Sequence, residues 1–87
     1  MKANAHPPTL SQLLADLATK WPSTIISRDC IEKLNGGTIS VRYQANLDSL
    51  NQGPPSFYVG RKRCYRVDDY VSWLQNRVST VKPKAEV

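Results

Sequence analysis

Histidine is all but missing from this chain: His6 is the only one, and it stands in the aperiodic stretch Met1 to Pro8. Cysteine is as scarce, with Cys30 and Cys64 far apart and in no C-x-x-C pair, so no zinc-ligand spacing and no disulfide framework exists. Both thiols read as reduced. The same shortage weighs against catalysis, because neither cysteine has a base near it in the sequence and the pair Asp68-Asp69 is explained as helix-start charge. Gly36-Gly37 lacks the rest of any phosphate-loop motif. The chain therefore reads as no enzyme and as needing no cofactor or metal. Long apolar runs are absent too: nothing approaches the ~20 residues that span a bilayer, and the mean hydropathy is −0.45. One lysine without an apolar stretch behind it opens the sequence, so no signal peptide is expected and a cytoplasmic location follows. At 87 residues there is room for one small core and not for a second domain.

What the chain does have is positive charge. Twelve Lys+Arg stand against seven Asp+Glu, a net +5 with a pI near 9.5, which favours a polyanionic partner. Residues 1–8 read as a flexible arm, residues 9–79 as the folded domain, and residues 80–87, with Lys82-Pro83-Lys84, as a flexible basic tail. Thr9 stands three residues before Gln12, the spacing of a capping box. Leu10, Leu13, Leu14 and Leu17 then give a helix from about Leu10 to Lys20, stopped at Trp21-Pro22. A second, shorter helix is expected to open at Ser27, with Cys30, Ile31 and Leu34 inward, and to stop at Asn35-Gly36-Gly37. Ser40 caps a third helix, Val41 to Leu50, with Tyr43, Leu47 and Leu50 tracing its inner side. After the breaker Gln52-Gly53-Pro54-Pro55 come short β pieces, Phe57 to Arg66, read as a hairpin with a basic tip. Tyr70, Val71, Trp73, Leu74 and Val78 then mark a last helix.

Two segments carry chemistry. The major groove of B-DNA admits an α-helix, and Arg, Gln and Asn match guanine and adenine edges; Arg42, Gln44 and Asn46 supply that set on the third helix. In the hairpin, Arg61, Lys62, Arg63 and Arg66 put four cations in six residues without one acid. Phosphates are the natural counterpart, and an arginine entering a narrow minor groove adds shape readout. Ser27 and Arg28 are candidates for a phosphate at a helix start. Both tryptophans read as core.

The stretch Ile26-Ser27, Gly36-Gly37-Thr38-Ile39-Ser40, Ala45-Asn46-Leu47-Asp48, Gly53-Pro54-Pro55, Val59-Gly60-Arg61-Lys62, Tyr65-Arg66-Val67-Asp68-Asp69 and Trp73-Leu74 resembles the MerR-like winged helix-turn-helix family of AlpA-type regulators and phage or integrative-element excisionases. The resemblance implies an α+β, mostly α, small winged helix-turn-helix with a two-stranded wing, here with an extra N-terminal helix. It also implies sequence-specific binding to double-stranded DNA, adding Ser40 and Tyr43 to the contact set. An excisionase, or recombination directionality factor, would bind repeated sites beside an attachment site, bend the DNA, self-associate on it and act with an integrase. An AlpA-like promoter regulator is the alternative, and a module that only binds proteins through the Leu10 to Leu17 stripe is a third reading.

Overall fold

Thr9 begins the first element as its spacing predicts: its hydroxyl accepts from Gln12 N at 3.1 Å and the Gln12 side chain accepts from Thr9 N at 2.8 Å. The computed structural model describes residues 9–79; the arm 1–8 and the tail 80–87 lie outside the described residues. Among the described residues the fold is α+β, with four helices and one three-stranded antiparallel sheet. In chain order these are α1 (Leu10–Lys20), β1 (Ile25–Ser27), a 3₁₀ turn (Arg28–Cys30), α2 (Ile31–Asn35), α3 (Val41–Ser49), β2 (Phe57–Val59), β3 (Lys62–Arg66) and α4 (Val67–Gln75).

The sheet order β1-β3-β2 puts β3 in the centre, paired with β1 (Ile26 opposite Tyr65) and with β2 (Tyr58 opposite Arg63). Strand β1 was not expected. The helix read from Ser27 instead starts as strand, passes through the 3₁₀ turn and becomes α-helical only at Ile31. Ile25-Ile26 is too short a run to announce a strand, and it forms because β3 offers it a partner. No helix is long and apolar enough to cross a membrane among the described residues.

Ile26, Ile31, Leu34, Ile39, Tyr65, Val67, Tyr70, Val71 and Leu74 form the core, so β1, β3, α2 and α4 all contribute to it. Each large aliphatic side chain buried there stabilises the fold by about 1.5–3 kcal/mol. Helix α1 lies antiparallel along α4: Gln75 Nε2 donates to Ser11 O at 3.2 Å at one end, and Trp21 lines one cleft with Val67 and Asp68 at the other. It has no fully buried residue; Leu14, Leu17 and Ala18 pack on the core while Leu10 and Leu13 stay 46% and 47% exposed. Both tryptophans are half-buried against the core, and each indole N–H fixes a loop, Trp21 to Ile25 O at 3.0 Å and Trp73 to Gln52 O at 2.9 Å. Cys30 is half-buried and Cys64 buried, both free thiols.

The turn between α2 and α3 is fixed by one side chain. Gly36 caps α2 at φ +70°. Buried Asn35 accepts from Gly37 N (2.8 Å) and Thr38 N (3.1 Å) and donates to Ile39 O (3.0 Å) and Tyr70 Oη (3.1 Å). All of its hydrogen-bonding capacity is used, which sets the angle at which α3 leaves the turn.

Candidate nucleic-acid interface

Helix α3 starts at Ser40, whose Oγ accepts from Tyr43 N at 3.0 Å, while the Glu32 carboxylate accepts from Val41 N at 2.8 Å. Two acceptors thus satisfy the helix start and reinforce its dipole. The helix is rotated from its expected setting. Gln44, Leu47 and Asp48 are buried, whereas Tyr43 is 46% and Leu50 63% exposed. Two polar side chains displace two apolar ones because the interior holds partners for them: Tyr70 Oη donates to Gln44 Oε1 (2.8 Å), Gln44 Nε2 to Asp48 Oδ1 (3.2 Å), and Arg28 Nη1 (3.1 Å) and Tyr65 Oη to Asp48 Oδ2. Gln44 is therefore removed from the base-contact set, since its amide is fully enclosed and bonded. The exposed arc is Arg42, Tyr43, Asn46, Ser49 and Leu50, with Arg42 and Asn46 one turn apart near its middle.

Arg28 serves the interior in part: its Nη1 donates to Asp48 at 3.1 Å, and its side chain stays 27% exposed. Ser27 is half-buried in β1 opposite Cys64, and its side chain makes no cap bond to the 3₁₀ turn.

In the hairpin the four cations are not one tip. Val59 and Lys62 are paired, Gly60 at φ +61° makes the two-residue turn possible, and Arg61 stands at its apex. Arg66 ends β3 opposite Ile25, about 13 Å from Lys62 at strand rise. Alternation along β3 puts Arg63 on the face of Tyr65, toward α3, and Lys62 and Arg66 on the other face. Arg63 borders a groove with Asp48, Asn51, Gly53 and Ser56, where the end of α3 meets the base of the hairpin. It is braced there: Nε donates to Ser56 Oγ (2.7 Å), Nη1 to Tyr58 Oη (3.3 Å), and the guanidinium lies 5.4 Å from the centre of the Tyr58 ring. Lys62 instead pairs with Asp29 at 2.5 Å, which holds the Asp29 carboxyl below its ordinary value and raises the Lys62 ammonium.

The charge balance on this side is one-sided. Asp29 is held by Lys62, Asp48 by Arg28, and Glu32 by a backbone N–H. Arg42, Arg61 and Arg66 have no acidic partner among the described residues, and Arg63 has only neutral acceptors. Sequence reasoning missed Ser56 and Tyr58, which brace Arg63, and Asp48, which had no visible partner because Tyr65 and Arg28 are 17 and 20 residues away. Gln44-x-x-x-Asp48, one turn apart, was the one local signal. No metal-binding group of three or more His, Cys, Asp or Glu occurs among the described residues. Comparison with family models, with curated proteins and with solved structures gives no match to this chain.

Proposed function

We propose that the chain is a sequence-specific DNA-binding and DNA-bending protein of winged helix-turn-helix type, acting as an excisionase that biases an integrase toward excision. The observation that carries the DNA reading is the set of arginines that make no ion pair among the described residues, Arg42 on α3 and Arg61 and Arg63 on the hairpin, while Asp29 and Asp48 are each paired with another cation. Helix α2, the turn and α3 act as the helix-turn-helix, and β2 and β3 as the wing. Arg42 and Asn46 read base edges in the major groove, with Ser40 and Tyr43 at the groove wall. Arg61 at the wing apex meets phosphate or an adjacent minor groove, and Arg63, already braced, gives up less side-chain freedom on contact. The excisionase assignment rests on the resemblance in the residues.

Alanine variants test the roles. Arg61→Ala with Arg63→Ala should weaken binding to specific and random duplexes alike and flatten the salt dependence. Arg42→Ala or Asn46→Ala should narrow the gap between specific and random DNA by about 1–3 kcal/mol. Full discrimination in both α3 variants would remove α3 as the reader. Leu10 and Leu13, exposed on one side of α1, favour a second reading, an AlpA-like regulator that pairs through α1 and binds two inverted half-sites at a promoter.

A further inference from the structure

The interior of this domain is crossed by a line of polar side chains, and it runs between the two surfaces assigned above to DNA. Asn35 in α2 donates to Tyr70 in α4, Tyr70 to Gln44 in α3, and Gln44 to Asp48 one turn on. Asp48 Oδ2 then accepts from Tyr65 in β3 and from Arg28 in the 3₁₀ turn. The Asp48 side chain is 1% exposed. The loop after α3 closes over it: a Cβ on Gly53 would lie 2.0 Å from Asp48 Oδ1 and 3.3 Å from Gln44 Nε2.

We infer that Tyr65 and Asp48 are positioning residues for the DNA-reading surface, the bond between them fixing the angle between α3 and the hairpin. The inference rests on the DNA-binding reading. Helix α3 packs on the 3₁₀ turn, and the fully buried part of its inner face is Leu47 with the two polar residues. The aliphatic contacts of α3, buried Leu47 and half-buried Val41, tolerate sliding and rotation, whereas a hydrogen bond to a buried carboxylate is directional and strong in a low-dielectric interior. Strand β3 carries Arg63 two residues before Tyr65, on the same face. The Tyr65 hydroxyl thus sets where Arg63 stands relative to Arg42 and Asn46. Two contact sets on one duplex add their binding only when their offset is held in advance; otherwise ordering them costs part of the gain. The Tyr70 hydroxyl is different in kind, because its bonds tie α4 to α2 and α3 and none goes to the hairpin, which Tyr70 meets only through its ring on Tyr65.

Tyr65→Phe removes one hydroxyl and keeps the ring, and Tyr70→Phe is its control, deleting one buried hydroxyl of the same line. Binding of each to a duplex selected by the wild type and to a random duplex, with thermal melts and bend angles from circular permutation of the site, separates positioning from stability. Tyr65→Phe should lose about tenfold in discrimination and change the bend angle while random-duplex affinity stays within about twofold. Tyr70→Phe should melt lower by a comparable amount and keep discrimination and bend. Asp48→Asn, which replaces the charged acceptor of Tyr65 and Arg28 with a neutral amide and leaves either Gln44 Nε2 or that pair without an oxygen, should lower discrimination in the same direction as Tyr65→Phe. Equal losses in the two tyrosine variants, or unchanged discrimination in both Tyr65→Phe and Asp48→Asn, would overturn the inference with the DNA reading intact. A wild-type chain that binds no duplex would overturn the DNA reading itself, and the inference with it.

Discussion

Asp29 sits on the 3₁₀ turn with its side chain 58% exposed and holds Lys62 of the hairpin, so an acid beside the hairpin turn neutralises one of its cations. An exposed pair of this kind adds little to stability. Its consequence is for binding, because a lysine already paired releases no counterion when phosphate approaches. Asp29→Asn should therefore tighten binding to random duplex and steepen the slope of log K on log salt by about 1. Weaker binding in that variant would mean that Asp29 is needed to aim Lys62. A second residue-scale expectation concerns alkali. Burial, above all, holds the Tyr65 and Tyr70 hydroxyls neutral above the ordinary tyrosine value of 10.0; the bond to Asp48 adds to this at Tyr65, while at Tyr70 the Asn35 bond opposes it. A group raised on folding stabilises fully below its unfolded value, and that stability is lost as pH climbs toward its folded value. Denaturant midpoints should thus fall as pH passes about 10, and Tyr70→Phe should fall less steeply. A midpoint flat to pH 11 would contradict the enclosed network. Gln44 shows why this scale was hard to read: a glutamine between apolar positions looks like a solvent contact until the tyrosines that claim it are in place.

Elements marked by local chemistry were legible in the sequence, and those made by distant partners were not. The capping box at Thr9, the Gly36-Gly37 stop, the Ser40 cap and the Gly60 turn each act within a few residues, and α1, α3 and the hairpin lie where those signals put them. Strand β1 and the 3₁₀ start of the second helix depend on pairing with β3, some 40 residues on, which no local pattern carries. The same holds for the setting of α3, decided by Tyr65 and Tyr70 instead of by its own leucine spacing. Helix α1, capped well but without a fully buried residue, is the element most dependent on its own cap. Thr9→Ala should cost about 1 kcal/mol, seen as faster hydrogen exchange over residues 10–20, and should leave DNA discrimination unchanged because Leu14 and Leu17, the α1 residues that share a cleft with Tyr43, lie beyond the capped first turn. Lost discrimination in Thr9→Ala would place α1 in the interface.

On the proposed reading, one chain brings one reading helix and one wing, so a single copy would cover a short half-site and discriminate poorly among the competing sites of a genome. Specificity would then come from several copies. An excisionase should place them on closely spaced, similarly oriented repeats with a bend that grows as they add, at a deformation cost on the order of 1–6 kcal/mol for a 20–30 bp site. A regulator paired through α1 should instead cover one inverted repeat about a helical turn apart. Both rest on the claim that α3 and the hairpin together bind DNA. The most direct measurement of it is a titration of the chain against duplexes enriched from a random pool and against the unselected pool, each at several salt concentrations. An enriched motif is expected, with preference for it over the pool and a slope of log K on log salt of about −2 to −4, as two to four neutralised phosphates give. No enriched motif and no salt-dependent binding to either duplex at low ionic strength would contradict it.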